Sequence, residues 1–349
     1  MTGVKTCALP ICTTKTGFWI NNPSGQETNL ALSEGAISCT TNPAYCSKLI
    51  KSDNEYLTRV IDETVKDFPE EEDASVIVYR KTCKRIMEKF LPLYKKSAGT
   101  EGFVTMQDDP RKDHDTESTI KTVFENRKVG ENYMAKIPVI EGGIEAIEIC
   151  VEENIPICAT EVFSLDQAIL VCERYEQASR RTGNSPPFFV THISGIFDEY
   201  LEKVIRRERI KINPDLIKYA GLSIAKKEYD LLKSRGYRAL LLGGGARGIH
   251  HFTELVGGDA HITINWNTAK EIIDSKLKVE NLLNKKASEK VVEELKEHFP
   301  DYCKAYDEGG LSLEEFAGFG PVQLFRNAFL TGWYQLLAEI TSWKQRMAL

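Results

Sequence analysis

The stretch Glu131-Asn-Tyr-Met-Ala-Lys-Ile-Pro-Val-Ile-Glu-Gly-Gly143, ENYMAKIPVIEGG, sets a lysine inside what otherwise reads as a short buried strand. Tyr133, Met134, Ala135, Ile137 and Val139 surround Lys136 with apolar bulk, and Pro138 with the pair Gly142-Gly143 closes the segment before a helical pattern opens. A buried ammonium costs several kcal/mol unless it is paired or gives up its proton. Lys136 is therefore either a structural lysine, paired or reaching to solvent, or a chemically employed one.

Working outward, apolar runs alternate with helical patterns along the 349 residues. Strands are predicted at Phe18–Asn21, Ala36–Thr40, Phe103–Gln107, Tyr133–Ile137, Pro156–Thr160, Phe188–His192, Ala239–Leu242 and Ala260–Ile264. Helical spacing joins Ile120, Val123 and Phe124, and again Ile144, Ile147 and Val151. Phe163–Arg181 and Asp215–Gly236 each read as one helix, the second ending at a C-cap glycine. Such alternation implies a parallel sheet. Repeated eight times, it predicts a closed (β/α)8 barrel over residues 17–275 with a helical insertion at 54–96. An open doubly wound sheet is the alternative. Residues 276–349 carry no strand signal and are expected to form a helical extension whose aromatics pack on the outside of the barrel.

The totals narrow the function. With 42% apolar and 28% charged residues the chain reads as soluble and globular. A net charge of −6 disfavours a nucleic-acid binder and leaves a small molecule as the default partner. No apolar run reaches the 18 residues a membrane span requires. Nine cysteines without CxxC or Cys/His clustering predict reduced thiols and a cytoplasmic setting. Residues 1–16 are expected to be non-native or unstructured: Thr6-Cys-Ala-Leu-Pro-Ile11 is what ACG TGT GCT CTT CCG ATC encodes, a sequencing-adapter tail. Neither a metal nor a cofactor is expected, since His250, His251, His261 and His192 form no evident ligand set. The His250-His251 pair reads as a helix start.

In a barrel, polar residues at the C-terminal strand ends face the active-site mouth. Those ends supply Asn21, Thr40-Thr41-Asn42, Gln107, Lys136, Thr160, His192 and the GGGARG run from Gly243 to Gly248. In this company Lys136 reads as catalytic.

Several segments together resemble the transaldolase family. They are SCTTNPAYCSK (38–48), DDPRKDHDTESTIK (108–121), AKIPVIEGGIEAI (135–147), ENIPICATEVFSLDQA (153–168), GIFDEY (195–200), RGYRALLLGGGARGI (235–249) and GGDAHITI (257–264), in the family's order. The resemblance implies a lysine Schiff base on Lys136 and cleavage of a ketose, with transfer of a dihydroxyacetone unit to an aldehyde acceptor. It implies that Asn42 binds donor hydroxyls, that Thr160 orients a proton-shuttling water, and that Arg247 faces the substrate's phosphate. Thr41, Gly245 and Ser194 are expected as further substrate contacts. The implied partners are ketose and aldose sugars or their phosphates, in the pentose phosphate pathway, on a monomer or homodimer.

Four positions depart from the pattern. Asn21 stands where the family has an aspartate, and Gln107 where transaldolases have a glutamate. Gln107 matches the fructose-6-phosphate aldolase branch, which makes a lyase releasing a free ketone one alternative. A non-catalytic sugar-phosphate binder is another. Gly195 stands where a second phosphate-binding arginine is expected, and His192 where transaldolases have phenylalanine. With two carboxylates missing and a histidine gained, His192 is expected to carry the proton transfer; otherwise it is a satisfied wall residue.

Overall fold

The computed structural model describes residues 14–107, 109–277 and 280–347. Residues 1–13, most of the stretch expected to be non-native, lie outside these, as do Asp108 of the 108–121 motif, residues 278–279 and residues 348–349 of the extension. Thr16 corrects the expected boundary: it is buried, and its hydroxyl donates to the Gly258 carbonyl at 3.1 Å.

Eight parallel strands close on themselves in sequence order, β1 (Gly17–Asn21), β2 (Ser38–Thr40), β3 (Val104–Met106), β4 (Tyr133–Pro138), β5 (Ile157–Val162), β6 (Phe188–Ile193), β7 (Leu240–Gly244) and β8 (His261–Ile264). Pairing of Gly17 with His261 and Ile20 with Ile264 joins first strand to last, which rules out the open sheet. Around them run α1 (Gly25–Ser33), α2 (Tyr45–Ser52), the insertion α3 (Asn54–Val65) and α4 (Glu71–Lys96), then α5 (Thr116–Arg127), α6 (Glu141–Glu152), α7 (Leu165–Thr182) and α8 (Ser194–Glu208). After α9 (Pro214–Ile217) and α10 (Ala220–Ser234) come α11 (His250–Thr253) and α12 (Trp266–Ser275). The C-terminal part is helical, with α13 (Glu289–His298), α14 (Pro300–Tyr306), α15 (Leu313–Phe316) and α16 (Gly320–Met347).

The helix expected over 215–236 is two. The chain turns at Lys218-Tyr219, and Gly221 then packs on Ser194 so closely that a Cβ would lie 2.2 Å from the Ser194 carbonyl oxygen. Pro300 separates α13 from α14, since a proline removes a helical N–H but suits the first turn.

The barrel floor is set by inward side chains of alternate residues. Trp19, Phe103, Met134, Cys158, Phe189 and Leu242 form one buried apolar cluster. Two residues further along their strands lie Asn21, Lys136, Thr160, Thr191 and Gly244, so period-two geometry lifts these to the layer above. Lys136 reaches the mouth because Met134 fills the floor. Gly143 lets α6 start directly against β4, for a Cβ there would meet the Pro138 carbonyl oxygen at 2.0 Å.

Candidate active site

At the C-terminal strand ends lies a cavity of ≈ 130 Å³ lined by Asn21, Asn42, Lys136, Thr191, Gly245 and Arg247, among others. A larger groove of ≈ 750 Å³ lies between α10 and α13. It gathers none of the strand-end residues, and its Lys227 and Lys296 already bind the Tyr306 carbonyl and Asp307. The strand-end residues therefore gather at the smaller cavity, which is the candidate site.

Lys136 is 6% exposed. Its Nζ donates to the Thr41 carbonyl at 3.3 Å and lies 5.5 Å from the Phe329 ring centroid, with no carboxylate of the described residues in ion-pair range. Burial pulls its pKa below that of an ordinary lysine. Two aromatics beside it come from α16: Phe325 lines the cavity and packs on Phe329 with centroids 4.3 Å apart. The expectation that the extension's aromatics all pack outside the barrel is thereby corrected. Trp333 does pack outside, against Tyr79 of α4, but up to two turns earlier the same helix sets Phe325 in the cavity wall and Phe329 beside the lysine.

Asn42 is fixed from one side. Its Oδ1 accepts from Asn22 Nδ2 at 3.0 Å and from the Ala44 N–H at 3.0 Å, which leaves its Nδ2 group as donor to the cavity. Asn21 bridges strands, donating to Asn265 Oδ1 at 2.9 Å and accepting from Thr40 Oγ1 at 2.9 Å. Thr41 differs from expectation. Its hydroxyl is consumed by the Thr105 carbonyl at 2.6 Å and Tyr79 at 2.9 Å, so it offers Lys136 a carbonyl and offers a substrate no hydroxyl.

Gly245 has φ 70°, and a Cβ there would sit 2.4 Å from Ile193. Arg247 lines the cavity with Nε on Glu199 at 3.0 Å, while its Nη2 makes no hydrogen bond to the described residues. Gly195 is explained sterically: a Cβ would lie 2.4 Å from the Gly245 carbonyl oxygen, so this backbone admits no arginine there. Ser194, with its Oγ buried and unpartnered, stands at the start of α8 and is absent from the cavity wall.

His192 is corrected. Thr191 and Ile193 line the cavity, so the residue between them points the other way, into the layer of helices. There its Nδ1 lies 2.9 Å from Glu228 Oε2 of α10, and both side chains are fully buried. His192 is the wall residue of the two alternatives.

Sequence reading missed two features. Asp198, His250 and His251 place ligand-type atoms within 4.8 Å of one another, the one such grouping among the described residues. Two of them are already engaged: His251 accepts the Arg247 N–H on Nδ1 at 3.4 Å, which puts its proton on Nε2 for donation to Asp198 Oδ2 at 2.9 Å. Asp198 also accepts from the Gly221 N–H at 2.8 Å, so the group ties α8, α10 and α11 together behind Arg247. The second missed feature is Glu161, fully buried after Thr160, its Oε1 accepting from Gln107 Nε2 at 2.9 Å. Its signal was a carboxylate in the otherwise uncharged strand ICATEV.

The fold is a closed parallel barrel with a desolvated lysine at its mouth. The model of the transaldolase/fructose-6-phosphate aldolase family matches residues 19–313, and the chain belongs to this family. Among curated relatives it is similar to transaldolases of Mycobacterium tuberculosis and Mycobacterium bovis, each 25% identical over 239 residues. That match covers 63% of this chain and 62% of each relative's length. The transaldolase of Mycolicibacterium smegmatis is 25% identical over 227 residues, 59% of this chain and 57% of that protein. No helix among the described residues is long and apolar enough to cross a membrane.

Proposed function

We propose that the chain is a transaldolase-like enzyme that cleaves a ketose through a Schiff base on Lys136 and passes the dihydroxyacetone unit to an aldehyde acceptor. The observation that carries this reading is the buried Lys136 amine, held by a carbonyl and, among the described residues, by no carboxylate. A lowered pKa keeps more of it as the neutral nucleophile. The amine adds to the ketose carbonyl and water leaves. The resulting iminium accepts the electron pair of the adjacent carbon–carbon bond as that bond breaks, and the enamine attacks the acceptor aldehyde. Asn42 Nδ2 and the Asn21 amide are suited to hold donor hydroxyls.

The test is intact mass after borohydride reduction with fructose 6-phosphate, followed by peptide mapping. A stable adduct of dihydroxyacetone size on Lys136 is expected. No adduct with this ketose or with its unphosphorylated and sulfonated analogues overturns the reading in favour of a non-catalytic binder. Gln107 favours one second reading, a lyase releasing a free ketone. Turnover without an added aldehyde would select it.

Arg247 is proposed as the phosphate contact. Replacing it with alanine should raise KM for fructose 6-phosphate by about 10²-fold with kcat little changed, and leave unphosphorylated fructose unaffected. Equal effects on both sugars would remove phosphate from its role.

A further inference from the structure

Strand β5 breaks its own alternation. Cys158 and Thr160 belong to the inward face, so Glu161 should point out toward the helices. Instead its φ is 60°, the register against β6 slips between Ala159 and Val162, and its carboxylate reaches Gln107 past the end of β4. Left-handed backbone is unfavourable for a side chain of this kind and persists only where the surroundings enforce it. Gln167 of α7 enforces it, donating from Nε2 to the carbonyls of both Glu161 and Val139 at 2.9 Å. The bulge thus brings a carboxyl group within one hydrogen bond of the position at the end of β3 that lacks one.

Three buried polar atoms of this group have no hydrogen-bond partner among the described residues: Gln107 Oε1, Thr160 Oγ1 and Glu161 Oε2. Buried polar atoms are rarely left so, and a hydroxyl and a carboxyl oxygen are groups that pass a proton. Burial pushes the Glu161 carboxyl up to about 7, and Asp113 adds to it. Gln107, Lys136 and Arg326 pull the other way; Arg326, on α16, is itself paired with Asp113 at 2.8 Å. The influence is mutual, since Glu161 acts on Lys136 in turn.

We infer that Glu161 is the proton carrier of the Lys136 Schiff base, acting through the Thr160 hydroxyl. This rests on the Schiff-base reading above. As the acid, Glu161 supplies the proton with which the carbinolamine oxygen leaves as water. The carbon–oxygen bond breaks onto that oxygen, and the nitrogen lone pair forms the iminium. As the carboxylate, it then takes the proton of the hydroxyl next to the scissile bond. That oxygen becomes a carbonyl, the carbon–carbon pair passes into the enamine, and Glu161 is an acid again. The proton account closes over the half-reaction with no outside reagent.

The experiment compares the full chain with Glu161→Gln, using fructose 6-phosphate as donor and erythrose 4-phosphate as acceptor, over pH 5 to 9. Because the free enzyme must hold Glu161 protonated, kcat/KM of the unaltered protein should fall as pH rises past about 7. Glu161→Gln should lose about 10²-fold or more in turnover and lose that alkaline limb, which a merely structural residue would not move. The exchange Gln107→Glu with Glu161→Gln keeps one carboxyl and one amide in the pair and should recover at least about tenfold, which covers a fold defect in the single variant. If the unaltered protein forms a reducible adduct on Lys136 but Glu161→Gln keeps its rate and its alkaline limb, the assignment to Glu161 falls alone. If the unaltered protein forms no adduct, the Schiff-base reading falls, and this inference with it.

Discussion

Lys136→Met should lower turnover by about 10⁴-fold or more and abolish any borohydride-trapped adduct, while the protein melts no lower than before. Methionine has the lysine's length and no charge. It meets the same apolar surroundings, with Met134 below and Phe325 and Phe329 above. Among the described residues, the hydrogen bond it gives up is the long one to the Thr41 carbonyl. An amine whose folded pKa is depressed contributes most to stability above its unfolded pKa and progressively less as pH falls toward the folded one. At neutral pH, burial of Lys136 is therefore a net cost that methionine relieves. The two halves of the prediction pull apart what a structural lysine would join. Thermal denaturation and steady-state kinetics on one preparation check it. A variant that retains more than about one hundredth of its activity, or one that unfolds, would return Lys136 to the structural alternative.

The barrel was legible because its strands are buried on both faces and stand out as unbroken apolar runs between amphipathic helices. The eight predicted strands overlap the eight observed, and Lys136, Asn21, Asn42 and Arg247 fall on one cavity. The same double burial hides which face a residue takes. In FFVTHI no polar/apolar alternation separates Thr191 from His192, and a shift of one residue exchanges the inside of the barrel for the outside. Thr41 shows the limit in another form: its place beside Asn42 was legible, but only packing could show that Thr105 and Tyr79 consume its hydroxyl. Glu161 was hidden because a bulge inverts its face, and the residue that enforces the bulge, Gln167, lies on the following helix. That α16 sets Phe325 in the cavity wall was equally unreadable, since an aromatic stripe looks alike whether it covers the barrel's wall or its opening.

His192 supplies the second large effect, and it falls on stability. The imidazole and the Glu228 carboxyl are each fully buried, joined at 2.9 Å, with His192 Nε2 and Glu228 Oε1 otherwise unpartnered. Burial raises the Glu228 pKa, and His192 draws it back. His192→Phe leaves that carboxyl alone among apolar neighbours, and breaking a buried pair from one side costs about 3–5 kcal/mol. The sign with pH follows. A carboxyl whose folded pKa is raised destabilises nothing below its unfolded value near 4.5, and its penalty grows as pH rises toward the raised one. The deficit of His192→Phe, read by urea denaturation, should therefore be small at pH 5 and largest at pH 8. The double variant His192→Phe with Glu228→Leu removes both polar groups and should regain most of the loss, because an apolar pair of similar volume needs no desolvated charge. Turnover per folded molecule should stay within about tenfold in both variants, since the pair lies behind the strand and Thr191 and Ile193 face the cavity. A loss of about 10²-fold with unchanged stability would put the imidazole back into the proton transfer and would mean that β6 presents its other face to the substrate.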